Sequence, residues 1–205
     1  MRAIVGNGPL SLDDRALIAT ADRIIRFNLT PNLCEELDAR TTELFLSCSS
    51  KQIGEFLSQG QYHSNSAFHQ ATRVVLPYHP DIIKKYMRPP SILSRLKGRR
   101  ADWSKDCLKI AGQTGKSTEI LPADLYLKAC YRLSIIPEKK EFFPSSGCLS
   151  ILRELQSAQH SASELHVFGF GYVGWKRHSW AEEKALVAEL ENAGELKTHA
   201  VEVPV

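Results

Sequence analysis

The stretch "AIVGNGPLSLDD", from Ala3 to Asp14, joins three apolar residues to a glycine-rich turn and then to the start of a helix. A short apolar run that ends in a turn is typical of a buried strand. Ser11 or Asp13 can cap the helix, which we expect to extend to about Thr20. The stretch therefore predicts strand, tight turn and helix, which is the opening unit of an α/β fold.

The same alternation of strand and helix patterns continues along the chain. The further strand candidates are Arg23 to Phe27, Leu44 to Cys48, Arg73 to Leu76, Leu165 to Phe170 and Ala200 to Val203, and helical patterns cover Ser50 to Leu57, Ala123 to Leu133, Gly147 to Ala158 and Ser179 to Asn192. This order predicts an α/β, Rossmann-like three-layer sandwich with a mostly parallel central sheet. We expect a single domain over residues 1–205, with a less regular basic segment at about 80–118.

Composition excludes several classes of protein. The formal net charge is only +3, so global charge gives no argument for nucleic-acid binding. No apolar run approaches the roughly 18 residues of a membrane span, and the amino-terminal residues carry no secretory h-region. The five cysteines form no C-x-x-C pair, and we expect them to be reduced and mostly buried. These features predict a cytoplasmic protein without a membrane span.

The turn Gly6-Asn7-Gly8 admits two interpretations. Glycines let the backbone approach a phosphate closely, and the following helix start offers free N–H groups and partial positive charge. The same residues also suit a tight strand-to-helix turn that binds nothing. A dinucleotide-binding fingerprint is disfavoured, because Ser11 stands where its third glycine belongs and no acidic residue ends the second strand.

A second glycine-rich stretch, from Gly112 to Thr118, has a superficial likeness to a nucleotide P-loop. The spacing is wrong, because that pattern needs a glycine at Ile110, and no strand pattern precedes the stretch. We therefore interpret it as a flexible polar loop.

Two more stretches carry polar side chains at predicted helix starts. Pro144-Ser145-Ser146-Gly147 fits either a serine N-cap or a second anion- or sugar-binding helix start. His178 precedes the last long helix, with Glu183 five residues further on. A histidine can take a proton from an alcohol, although a lone histidine is more often structural. The other histidines lack metal-ligand spacing and no D-x-D triplet is present, so we expect no metal.

Taken in order, these blocks resemble the sialyltransferase family of glycosyltransferases. The large motif of that family is matched by Val5-Gly6-Asn7-Gly8, Asp22, Arg26-Phe27-Asn28 and Pro31. The small motif is matched by Pro144-Ser145-Ser146-Gly147 and the strand that ends in Gly169-Phe170-Gly171, and the H-x4-E motif by His178 and Glu183. The resemblance implies a glycosyltransferase A-like variant of the fold. Some small bacterial proteins with this pattern carry names tied to the urease operon.

The resemblance implies inverting, metal-independent transfer of an acidic sugar, of the sialic acid or Kdo type, from cytidine monophosphate (CMP) to an acceptor hydroxyl. Its implied nucleotide-sugar site comprises Gly6, Asn7, Gly8, Asn28, Ser145, Ser146 and Gly147. The implied catalytic residues are His178, which removes the acceptor proton, and Glu183, which orients or supports the adjoining helix end. The implied partners are a CMP-sugar donor and a glycan or other hydroxyl acceptor.

The sequence also departs from the family pattern. Only Tyr172 to Arg177 fills the space where the family has a further histidine motif, so His178 is either the base or the phosphate-binding histidine. This departure keeps open a catalytically inactive, nucleotide-sugar-binding accessory protein. A nucleic-acid-binding protein that uses Tyr86 and Trp103 of the basic segment is a further alternative, and the modest net charge disfavours it.

Overall fold

The computed structural model describes residues 1–29, 35–96, 98–158 and 163–199. Strands and helices alternate through most of these ranges. The strands are β1 (Arg2–Val5), β2 (Arg23–Phe27), β3 (Glu43–Phe45), β4 (Arg73–Leu76), β5 (Ser117–Ile120), β6 (Leu165–Phe168) and β7 (Lys197–Thr198). The helices are α1 (Leu12–Ile18), α2 (Glu35–Asp38), α3 (Lys51–Ser58), α4 (Ser66–Gln70), α5 (Pro80–Tyr86), α6 (Ile92–Leu96), α7 (Ser104–Gln113), α8 (Ala123–Arg132), α9 (Ser146–Ala158) and α10 (Trp180–Asn192).

All seven described strands form one sheet in the order β5-β4-β3-β2-β1-β6-β7, and every neighbouring pair is parallel. The predicted parallel α/β sandwich is thus confirmed. The chain adds strands outward from β1 to β5 and then returns to the other side of β1 with β6. The order therefore reverses between β1 and β6. In open α/β sheets, ligands bind at such a reversal, beyond the carboxyl ends of the strands.

Alternate residues of the central strands pack on opposite faces of the sheet, as the twofold period of a strand requires. In β1, Ala3 and Val5 belong to a cluster that includes Ile18 of α1, whereas Ile4 belongs to the larger cluster. That larger cluster contains Leu149 of α9 and core residues of α3, α5, α8 and α10. Both faces of the sheet are therefore covered by helices, which explains why its strands are buried apolar runs.

A network of charged side chains lies at the amino end of the sheet, away from the carboxyl ends of the strands. Glu43 pairs with Arg23 at 2.6 Å and with Arg153 of α9 at 2.7 Å, and Arg153 also pairs with the fully buried Glu154 at 2.7 Å. Arg2 reaches Glu154 at 3.2 Å. Each of these charged side chains therefore has a partner of opposite charge where α9 crosses the starts of the strands.

One sequence interpretation is wrong. The stretch from Gly112 to Thr118 is not a flexible polar loop: it contains the end of α7 and the start of β5. The Lys116 ammonium donates to the carbonyls of His69 at 2.9 Å and Ala71 at 2.8 Å, which fixes the connection. Here a helix precedes a strand, the reverse of the strand–loop–helix order of a P-loop, so the rejection of a P-loop stands.

Some predictions fall on residues that the structure does not describe. The last strand was predicted at Ala200 to Val203, which lies outside them, and β7 comes just before it. Pro31 and Cys34 also lie outside the described residues, whereas Cys48, Cys107, Cys130 and Cys148 are buried free thiols. Within the described ranges, no helix combines the length and the apolar character needed to cross a membrane.

Candidate functional site

A cavity of about 300 Å³ lies at the carboxyl ends of β1 and β6, where the strand order reverses. Eight of the nine predicted site residues line it: Gly6, Asn7, Gly8, Asn28, Ser145, Ser146, Gly147 and His178. It is also lined by Phe27, Ser47, Gly169, Phe170, Gly171, Tyr172, Val173 and Trp180. The fold therefore brings six separate stretches of sequence to one concave surface, of a size typical of a small-molecule site.

The two glycines of the opening turn are required by close backbone packing. A Cβ atom on Gly6 would lie 2.4 Å from the carbonyl oxygen of Gly169, and one on Gly8 would lie 2.7 Å from the same oxygen. The N–H of Gly6 donates to the Phe168 carbonyl at 2.8 Å, and that of Gly8 to the Gly169 carbonyl at 2.9 Å. These two N–H groups are therefore committed within the fold, which corrects the expectation that they bind phosphate.

The two asparagines of the motif lie at the ends of neighbouring strands. The Asn28 side-chain oxygen accepts from the Ser47 N–H at 2.8 Å, so its Nδ2 group is the part that can donate to a ligand. Asn28 has a φ of 54°, a left-handed conformation that asparagine tolerates better than most residues. The Asn7 amide lies 3.4 Å from the Phe27 carbonyl, and its side chain is exposed. Both asparagines thus present amide groups at the rim of the cavity.

Ser145 precedes the first residue of α9 and is held from two directions. Its hydroxyl accepts from the Cys148 N–H at 3.0 Å, which is the bond of a serine N-cap. Its own N–H and hydroxyl both donate to the carboxylate of Glu183, at 2.7 Å and 2.5 Å. The N-cap interpretation is therefore correct for Ser145, and hydrogen bonds to Glu183 join this cap to the first turn of α10.

The first turn of α9 leaves two N–H groups for a ligand. The Cys148 N–H bonds to Ser145 Oγ and the Leu149 N–H to the Ser145 carbonyl at 3.0 Å, whereas those of Ser146 and Gly147 precede the helical ladder. Ser146 and Gly147 both line the cavity. A Cβ atom on Gly147 would lie 2.6 Å from the Phe170 ring, so this glycine admits the ring against the helix start.

His178 is fixed beside the same turn with a defined tautomer. Its Nδ1 atom lies 2.9 Å from the Phe143 carbonyl, and because a carbonyl only accepts, Nδ1 carries the proton. The ring packs edge-on against Trp175 and Trp180, with centroids 5.1 Å and 4.9 Å away. Burial lowers the pKa of His178 below its usual value, so the imidazole is neutral at pH 7. Its Nε2 atom then has a lone pair that can accept a proton.

Glu183, the ninth predicted residue, does not line the cavity. It lies behind Ser145 and is only 2% exposed. Burial raises the pKa of Glu183 to about 7, although the hydrogen bonds from Ser145 oppose that shift. Its contacts with Ser145 place it among the residues that position the α9 start.

Several residues of the site were missed in the sequence. The Tyr78 hydroxyl donates to the Pro144 carbonyl at 2.9 Å and so supports the turn before α9. Ser47 follows β3, and the rule that ligands sit at strand ends could have identified it. Phe170 and Trp180 flank glycine and histidine residues of the motifs, but an aromatic residue beside a motif is by itself no signal for a binding site.

The cavity has little cationic character. In the part of the chain that the structure describes, no lysine or arginine lines it, and His178 is its one basic side chain. Arg177, adjacent in sequence, donates instead to the backbone carbonyls of Lys140 and Glu141. Within the same ranges, no group of three or more His, Cys, Asp or Glu side chains is placed to hold a metal ion.

Comparison with known proteins gives one distant similarity. No protein-family model matches the chain. The chain is 23% identical, over 201 residues, to the Urease operon 23 kDa accessory protein of Rhizobium meliloti (strain 1021). The alignment covers 95% of this chain and 90% of that protein. The chain is thus similar over nearly its whole length to a protein named for the urease operon, as the sequence pattern suggested.

Proposed function

We propose that the chain is an accessory protein that binds a nucleotide-activated sugar at the carboxyl ends of β1 and β6. The observation that carries this proposal is the convergence of Asn7, Asn28, Ser146 and His178 on one cavity. The accessory role is taken from the name of the relative, which is aligned over nearly the whole chain. The nucleotide class is taken from the motifs that these residues occupy.

In this proposal, the phosphate of CMP lies at the start of α9. The N–H groups of Ser146 and Gly147 donate to its oxygens, and the dipole of a 13-residue helix adds partial positive charge. The Ser146 hydroxyl and the Asn28 amide supply further donors. The rings of Phe27 and Phe170, whose centroids are 6.1 Å apart, form an apolar wall for the ribose and the base.

Two features favour binding without turnover. Departure of CMP leaves negative charge on its phosphate, and cationic groups usually stabilise such charge in a transferase. The residues that line the cavity include no lysine or arginine within the described ranges. The neutral imidazole of His178 carries its single proton on Nδ1 and donates it to the Phe143 carbonyl, so His178 has no proton to donate to the leaving phosphate.

The second candidate function is an inverting, metal-independent glycosyltransferase, and the geometry of His178 favours it. Its Nδ1 proton is held by Phe143, and its imidazole is neutral, so Nε2 can act as a general base. Nε2 would take the hydroxyl proton as the acceptor oxygen bonds to the anomeric carbon. The bond from that carbon to the phosphate oxygen would break, and CMP would depart with the electron pair.

One experiment tests binding and turnover separately. Calorimetry would measure the affinity of the protein for CMP, CMP-N-acetylneuraminic acid and CMP-Kdo, and phosphorus NMR would follow CMP release with and without lactose. We expect CMP to bind, and Ser146→Ala to weaken it about tenfold through loss of a charge-assisted hydrogen bond. Ser157→Ala, an exposed serine at the other end of α9, is the matched control.

The outcomes separate the two candidates. Binding without release of CMP supports the accessory role, and release that depends on an acceptor hydroxyl supports the transferase. If none of the three cytidine compounds binds at millimolar concentration, both candidates are wrong.

A further inference from the structure

A second cavity, of about 360 Å³, is lined by the Phe143 and Trp175 rings and by four arginines. We refer to it as the arginine cavity, and its arginines are Arg88, Arg99, Arg100 and Arg177. The apolar part of its wall comprises Met87, Phe143 and Trp175, with prolines 89 and 90. Guanidinium groups thus surround a partly apolar hollow.

Most of this positive charge is not neutralised by carboxylates. Arg100 pairs with Asp106 at 3.1 Å. Among the residues that the structure describes, Arg88, Arg99 and Arg177 make no ion pair with a carboxylate. Burial, and then the positive charge of Arg88, lower the pKa of Arg177, so the guanidinium groups of Arg88 and Arg177 lie near enough to repel each other. An anion in the cavity would relieve that repulsion.

Arg177 is held in place before any ligand arrives. Its guanidinium donates to the carbonyls of Lys140 and Glu141, and it stacks on Phe143 at 4.5 Å and on Trp175 at 5.6 Å. A guanidinium fixed in this way loses little conformational entropy when it binds an anion. The geometry is that of a preorganised donor, not of a solvated surface arginine.

The arginine cavity is connected to the candidate site through two of its lining residues, which contact His178. Phe143 and Trp175 stack at 5.8 Å with 8° between their planes, and both line the arginine cavity. The Phe143 carbonyl accepts from His178, and the Trp175 ring lies 5.1 Å from the His178 ring. A ligand in the arginine cavity would therefore lie one aromatic layer away from His178.

We propose that the arginine cavity binds the phosphate or carboxylate group of a small sugar-type ligand, with the sugar ring against Trp175. Arginine forks match the geometry of phosphate and carboxylate oxygens, and Trp175 is 53% exposed and so offers a face for the ring. If the proposed function holds, this ligand is the second substrate or the effector of the nucleotide-sugar site. The anion site itself does not depend on that function.

The structure disfavours a nucleic-acid site built on Tyr86 and Trp103 of the basic segment. The Tyr86 side chain is buried at 6% exposure and stacks on Tyr126 at 6.1 Å. Trp103 is half-buried, packs against Gly54 and is covered by the Arg100 guanidinium at 5.0 Å. Neither aromatic ring offers the exposed face that stacks on bases in single-stranded nucleic-acid sites.

The test uses glucose 6-phosphate as the probe, with glucose as its uncharged counterpart. Affinity is measured by calorimetry for the unaltered chain and for the double variant Arg88→Gln/Arg99→Gln. The matched control is Lys105→Gln/Lys109→Gln, which removes the same charge from exposed positions on α7. Ser146→Ala serves as a second control, because it alters the nucleotide-sugar site and leaves the arginine cavity intact.

We expect glucose 6-phosphate to bind, glucose not to bind, and the arginine double variant to weaken binding at least tenfold. The lysine double variant and Ser146→Ala should bind the sugar phosphate as the unaltered chain does. Equal loss in the two double variants would overturn the proposal, as would absence of binding at millimolar concentration. Tighter binding of a single-stranded oligonucleotide that the arginine variant abolishes would instead assign the cavity to nucleic acid.

Discussion

Both carboxylate oxygens of Glu183 accept hydrogen bonds from Ser145, Oε1 from its N–H at 2.7 Å and Oε2 from its hydroxyl at 2.5 Å. This contact joins the first turn of α10 to the cap of α9. Glu183 therefore contacts the cap of α9 although it does not line the cavity. The position of the Ser146 and Gly147 amides depends on it.

Replacement of Glu183 by alanine should destabilise the protein and weaken the proposed ligand site. The substitution leaves the buried Ser145 N–H without its acceptor, which costs about 1–3 kcal/mol. We expect the free energy of unfolding in urea to fall by that amount, and CMP affinity to fall with it. Glu182→Ala, at the exposed neighbouring position, is the control, and an equal loss in both variants would contradict the proposed contact.

Protonation of Glu183 should make the free energy of unfolding depend on pH. Its folded pKa is about 7 against an ordinary value of 4.5, so the folded state binds this proton more tightly than the unfolded state. The free energy of unfolding therefore falls as pH rises from 4.5 to 7, by about 3 kcal/mol from this group, and is constant with pH above that window.

The comparison of the unaltered chain with Glu183→Gln isolates this effect, since both retain His178. His178 has a lowered folded pKa and changes stability in the opposite direction, with stability rising as pH increases toward 6.5. Urea unfolding at several pH values should show that the difference between the two proteins varies between pH 4.5 and 7. A difference that is constant with pH would show that Glu183 titrates normally.

Replacement of Gly8 by alanine should disrupt the close packing between the residues that follow β1 and those that follow β6. The added Cβ atom would lie 2.7 Å from the Gly169 carbonyl oxygen, and such overpacking costs about 1–3 kcal/mol. Gly112→Ala is the control, because nothing lies within 4 Å of its added Cβ atom in α7. We expect the control to gain about 0.5–1 kcal/mol from helix propensity. Thermal unfolding measures both changes, and equal melting temperatures would refute the close approach.

His178→Asn should separate a base from a structural histidine. The asparagine amide can replace Nδ1–H as a donor to the Phe143 carbonyl, but it cannot accept a proton. We expect stability within about 1 kcal/mol of the unaltered chain and CMP affinity that changes little. Any acceptor-dependent release of CMP by the unaltered chain should disappear. Retained release would show that His178 is not the base.

The sequence predicted strands β1 to β4 and β6 and helices α1, α3, α8, α9 and α10, because their signals are local. Apolar runs such as Ala3–Val5 end in glycine or polar residues, and Ser11 caps α1 through the Asp14 N–H, as its pattern suggested. β5 was missed because it carries polar residues at the sheet edge, where one face is exposed and no apolar run marks it.

The sequence predicted which residues lie together at the candidate site, but not which hydrogen bonds they make. Each motif lies at a strand end or helix start, so the topology brings Asn7, Asn28 and Ser146 together. The Gly6 and Gly8 amides were expected to face a ligand, but the pairing of β1 with β6 commits them to the Phe168 and Gly169 carbonyls. That commitment depends on a strand far away in sequence, which local patterns do not show.

Binding of CMP at the start of α9 is best tested by an NMR titration of the isotopically labelled protein with CMP, followed at each backbone amide. We expect the largest chemical-shift changes at Ser146 and Gly147, with further changes at Asn7 and the Asn28 side-chain amide, and we expect Ser146→Ala to reduce them. Changes that spare the α9 start, or no change at millimolar CMP, would show that the start of α9 does not bind CMP.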